Sequence, residues 1–80
     1  MFDLKKEREK LNLSRKQLCE EIKLIVVNGK ENKTLPQRIY DFETGRRKIS
    51  MYYAIVFSVY FKADLREIVK TIYGESKWKK

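Results

Sequence analysis

The chain has 80 residues, with 19 Lys and Arg against 11 Asp and Glu, no histidine, and a net charge of +8. A domain of this size buries roughly 60% of the surface its unfolded chain exposes, and its charge surplus suits a polyanionic partner. The absence of histidine excludes imidazole general-base chemistry and His-ligated metal sites, and a single cysteine, Cys19, excludes an intrachain disulfide and suits a reducing cytosol.

The longest apolar run, Met51 to Phe61, has eleven residues including Ser58, well short of the ~20 needed to span a bilayer. The opening residues Met1 to Arg8 are charged where a signal peptide is apolar. The expectation is one domain over residues 1–74 with a short basic tail over 75–80, placed in the cytoplasm and associated with the nucleoid. No phosphate-binding loop, cofactor motif, small-molecule site or catalytic constellation is legible, so the reading is of a protein that is not an enzyme.

Helix punctuation predicts an all-α, compact five-helix bundle with helices near 3–12, 15–28, 35–44, 51–62 and 65–73. Ser14-x-x-Gln17 and Thr34-x-x-Gln37 read as capping boxes, and Asp64-x-x-Glu67 as the Asp-started variant. Pro36 falls in a first turn, which tolerates its missing N–H. Gly29, Gly45 and Gly74 each follow an apolar-periodic segment, where helix-stopping glycines belong.

One segment admits two readings. Leu24-Ile25-Val26-Val27-Asn28-Gly29 is β-rich and ends in the strongest short hairpin signal. Lys30-Glu31-Asn32-Lys33 offers no alternating second limb, while Leu18, Ile22, Ile25 and Val26 continue a helical stripe from Ser14. The stripe favours an extended second helix followed by a loop over 28–33.

The stretch from Leu35 to Ser50 carries most information. As a helix it places Leu35, Ile39 and Phe42 on one buried stripe. Its outer face carries Pro36, Gln37, Arg38 and Asp41, and Gly45 is followed by Arg46, Arg47 and Lys48. A short helix with a polar face and a basic elbow suits contact with duplex DNA.

Taken together, Leu4, Arg8, Leu11, Leu13, Ser14, Gln17, Leu18 and Cys19, then Ile39, Phe42, Glu43, Gly45 and Arg46, resemble a known pattern. Ser50, Phe57, Phe61, Asp64, Leu65 and Ile68 extend it. The pattern is that of the phage-repressor and Cro-like helix-turn-helix family of the xenobiotic-response-element type, and it covers roughly residues 3 to 72. The resemblance implies a lambda-repressor-like fold and a sequence-specific regulator of phage, plasmid or mobile-element type that binds operators as a homodimer. It also implies an ion pair between Arg8 and Glu43 that ties the first helix to the third. The chain departs from the family at one place. Cys19 and Ile39 are twenty positions apart, where the family has about ten.

In a helix-turn-helix the second helix of the motif presents its N-terminal residues to base edges while phosphate contacts set the register. Gln37 can bond adenine N6 and N7, and Arg38 can pair with guanine O6 and N7. Asp41 has two readings, an acceptor from cytosine N4 or an i,i+3 partner that orients Arg38. Tyr40 and Thr44 lie at the edge of this face. Arg15, Lys33, Arg46, Arg47 and Lys48 are suited to the DNA backbone. Lys30, Asn32 and Lys33 either reach further phosphates or form a plain polar loop. Cys19 reads as a small core residue, with a redox switch as the alternative.

Ala54, Phe57, Ser58 and Phe61 mark the inward stripe of the fourth helix. Tyr52, Val56 and Val59 then fall on the other side, with Tyr60 on the flank. Joined by Tyr73 and Trp78, these form a candidate dimer surface; burial of the helix all round is the competing reading. The functional expectation is a repressor acting by occlusion of its operator. The alternative is an antitoxin-type interaction module that neutralises a partner and autoregulates.

Overall fold

Side-chain caps mark where the first, second, fourth and fifth helices begin, at Asp3, Ser14, Ser50 and Asp64. The structure, a computed structural model, describes residues 2–73, with side chains to Thr71. Gly74, Trp78 and the basic tail 75–80 lie outside the described residues, as does the side chain of Tyr73. The first helix, α1 (Leu4–Lys10), starts where the Asp3 carboxylate accepts from the Lys6 N–H at 3.1 Å. The next, α2 (Arg15–Ile22), opens on a complete capping box: Ser14 Oγ accepts from Gln17 N at 3.0 Å, and Ser14 N donates to Gln17 Oε1 at 2.8 Å. Third comes α3 (Pro36–Thr44), stopped by Gly45 at φ 81°. Ser50 caps α4 (Met51–Phe61), and Asp64 Oδ1 accepts from Arg66 N at 2.8 Å at the start of α5 (Leu65–Tyr73).

The protein is an all-α bundle of five helices, with one isolated β-bridge and no strand among the described residues. Leu18 and Ile22 of α2, Ile39 of α3, Val56 and Phe57 of α4 and Ile68 of α5 are fully enclosed. Phe57 is the aromatic centre, with the rings of Phe2, Phe42, Tyr53 and Phe61 all within 6.4 Å of its own.

Several expectations change here. The second helix ends at Ile22 rather than running to Asn28. Val27 and Lys30 instead exchange backbone hydrogen bonds of 3.2 and 3.0 Å around a two-residue turn, with Asn28 at φ 53° and Gly29 at φ 73°. Both central residues are left-handed, as a type I′ turn demands, so Gly29 is a turn residue and not a helix stop. The missing second limb limits the hairpin to that single bridge.

Thr34 does not cap α3. Leu35 occupies the N-cap with no side-chain hydrogen bond, while the Thr34 hydroxyl donates to Asn32 Oδ1 at 3.1 Å and shares a 2.8 Å bond with the Tyr53 hydroxyl. Leu35 therefore leaves the buried stripe and is 71% exposed, while Ile39 and Phe42 stay inside.

Asn32 is neither exposed nor part of a plain polar loop. It is 3% exposed, and its amide donates to Ile22 O at 2.6 Å and Ile25 O at 3.3 Å, satisfying the end of α2. The 23–35 connection is thus tied to the bundle. Asn32→Ala would leave Ile25 O without that donor and Ile22 O with only its 3.0 Å bond from Ile25 N, and a loss of ~1–3 kcal/mol is expected. Urea unfolding of the variant measures it; an unchanged midpoint would show that the connection is dispensable.

Candidate nucleic-acid interface

Glu43 is the anchor of the surface on which the predicted contact residues lie. Its carboxylate is 1% exposed and accepts from Arg8 Nε at 2.6 Å, Arg8 Nη2 at 3.3 Å and Arg15 Nε at 3.0 Å. Arg8 also donates through Nη1 to Leu13 O at 2.7 Å. One carboxylate thus binds α3 to both α1 and α2, with both oxygens occupied. The structure brings Arg8 and Glu43 together, and adds Arg15, which the sequence reading had placed at the DNA backbone. Arg15 keeps 37% of its side chain exposed, and its guanidinium lies 5.0 Å from the centre of the Tyr40 ring.

With its inner face held, α3 turns Gln37, Arg38, Tyr40 and Thr44 to solvent. The Thr44 hydroxyl donates back to Tyr40 O at 2.9 Å. Asp41 is not the partner that orients Arg38. It accepts from Gln37 Nε2 at 3.0 Å and lies 3.5 Å from Arg47 and 3.9 Å from Arg46. Arg38 is no partner of it; that guanidinium stands 5.8 Å from the Tyr53 ring centre. Asp41 therefore holds the basic elbow against the end of α3. These pairs are exposed on the cationic side, and such pairs are weak enough for Arg46 and Arg47 to exchange partners. Lys48 and Lys33 are exposed.

A pocket of about 320 Å³ opens between α2 and the start of α3. Lys16, Cys19, Glu20 and Lys23 line one wall and residues 32–36 the other. Lys16 and Lys23 were not among the sequence-predicted contacts, because only the folded connection places Lys33 opposite them. Burial, reinforced by the charge of Glu20, pushes the Cys19 thiol up. It stays protonated, and the thiolate needed for redox chemistry is disfavoured.

The candidate dimer surface is reduced. Val56 is completely buried, because α4 packs against both α5 and α2. Tyr52 is half-buried, with its hydroxyl donating to Lys30 O at 3.4 Å. Tyr60 is half-buried and donates to Glu21 Oε1 at 3.2 Å, and burial together with that carboxylate raises its pKa. Val59 alone among the described members is well exposed, at 58%.

Among the described residues no group of three His, Cys, Asp or Glu side chains is placed to hold a metal, and no helix is long and apolar enough to cross a membrane. No family model matches the chain, and neither a curated protein nor a solved structure matches it significantly.

Proposed function

We propose that this chain is a sequence-specific DNA-binding regulator in which α2 and α3 act as a helix-turn-helix with an enlarged connection. It represses by occupying an inverted-repeat operator as a homodimer, in the manner of phage or plasmid regulators. The observation that carries this reading is the polarity of α3. Its inner residues Ile39, Phe42 and Glu43 are locked into the bundle, while Gln37 and Arg38 face solvent in its first turn and the exposed cationic run 46–48 follows its last. A rigid support with polar reading residues and flanking cations is what base readout requires.

Selection of duplexes from a random pool, followed by titration of the enriched site, tests the reading. Gln37→Ala or Arg38→Ala should cost ~1–3 kcal/mol on the selected site and little on random DNA. Lys48→Ala should weaken both alike and flatten the salt dependence by ~1 unit. Selection that enriches no sequence would remove the base-reading role of α3.

The antitoxin-type reading has one observation in its favour. Leu24 and Val26 in the connection and Leu35 at its end are 80%, 56% and 71% exposed, more apolar surface than DNA contact explains. Retention of a toxin encoded beside the gene on the immobilised protein, lost on Leu24→Glu, would support it.

A further inference from the structure

We infer that the pocket between α2 and the start of α3 seats a DNA backbone phosphate, so that the duplex is gripped at both ends of α3. This rests on the DNA-binding reading and adds a contact made by the 23–35 connection. The first ground is the pocket's electrostatics. Lys16, Lys23 and Lys33 surround it, all are exposed, and none forms an ion pair among the described residues. Glu20 is the only acid in the lining, so the pocket carries a surplus of two positive charges.

The second ground is order. Lys33 follows Asn32, which is buried and bonded to the end of α2, and precedes Thr34, which is bonded to Tyr53. The backbone at Lys33 is therefore fixed before any ligand arrives, and little ordering entropy remains to oppose binding.

The third ground is dimension. Nine residues make α3 roughly 13 Å long at ~1.5 Å per residue. The major groove is ~12 Å wide. A helix of that length lying in the groove leaves flanking phosphates within reach of side chains just beyond either end. Arg46, Arg47 and Lys48 stand just past the C-terminal end. The lysine pocket, which includes Leu35 and Pro36, adjoins the N-terminal end, immediately before Gln37. Leu35 and Pro36 supply an apolar wall for the deoxyribose beside the phosphate.

The test is binding of the whole chain to a random duplex of about 20 base pairs, followed by fluorescence anisotropy across a salt series. Wild-type protein is compared with Lys16→Ala/Lys23→Ala/Lys33→Ala and with Lys5→Ala/Lys6→Ala/Lys62→Ala, which removes the same charge elsewhere. Circular dichroism confirms that both triples stay helical. The pocket triple should flatten the plot of log affinity against log salt by ~1 unit, the loss of one phosphate contact, and the control triple should not. In ¹⁵N-labelled wild type the amides of residues 33–35 should shift on adding the duplex. Equal slopes for the two triples, or unshifted amides in protein that binds the duplex, would overturn the phosphate seat while leaving DNA binding intact. Absence of any binding by wild type at 50 mM salt would overturn the DNA-binding reading and the seat with it.

Discussion

Glu43→Gln should destabilise the domain by about 3–5 kcal/mol, the cost of leaving a buried charge without its partner. The charge left behind is Arg8, whose side chain is 9% exposed and whose Nε lies 2.6 Å from the carboxylate. Arg15 loses its partner as well, but its greater exposure lets water replace the contact. For a domain of this size each kcal/mol moves Tm by ~4–8 °C, so the melting temperature should fall by more than ~10 °C. Arg8→Met should cost a similar amount, because it leaves Glu43 with Arg15 alone. The double variant Arg8→Met/Glu43→Gln should cost less than the two single changes added together, since it removes both charges at once. DNA affinity should fall with the first two variants, through loosening of α3 against α1 and α2 rather than loss of a contact. Thermal melts of the four proteins decide the matter. A Glu43→Gln protein that melts within two degrees of wild type would show that the network is not a support for α3.

The parts of this fold legible in the sequence are those set by neighbours in the chain. Ser14 and Gln17 sit three residues apart, so their capping box is a local event, and α2 starts where the pattern predicts. The left-handed Gly45 ends α3 for the same reason. The connection is different, because its structure depends on contacts across the fold. Asn32 reads as a polar loop residue until Ile22 O and Ile25 O are placed beside it. Thr34 matches a capping pattern, yet the hydroxyl of Tyr53, nineteen residues away, takes its bond instead. Without Thr34 as cap, α3 starts one residue later and Leu35 turns outward. The dimension of the candidate interface was hidden in the same way, since Lys16, Lys23 and Lys33 line one pocket only once the connection folds back. The fourth helix misled for another reason. A helix that is apolar on every side has no periodicity to tell its core face from its free face, and Val56 proved to belong to the core.

That correction separates two substitutions which the sequence alone would treat alike. Val56→Glu should abolish the cooperative fold. Val56 has no exposed surface, so the change forfeits ~1.5–3 kcal/mol of apolar burial and places a carboxyl group in the hydrophobic core. The carboxyl either ionises at a cost of several kcal/mol or stays protonated with its pKa driven up by burial. Either outcome consumes much of the ~5–15 kcal/mol that holds a small domain together. Val59→Glu lies one turn further on at a position 58% exposed, and should change stability by no more than ~0.5 kcal/mol. Its effect should fall on assembly. Under the proposed function, a lone domain would contact a single half-site and bind near the non-specific range of ~10⁻⁴–10⁻⁶ M, whereas two copies related by a two-fold axis would place their α3 helices ~34–36 Å apart on an inverted repeat. If the surface around Val59 is the joint between copies, wild-type protein sediments near twice 9.7 kDa at micromolar concentration. Val59→Glu protein then sediments as a monomer with its helical signal intact and loses operator affinity. A wild-type monomer, both free and on a single non-palindromic site, would end the homodimer proposal. A Val56→Glu protein with an unchanged melt would contradict the packing of α4.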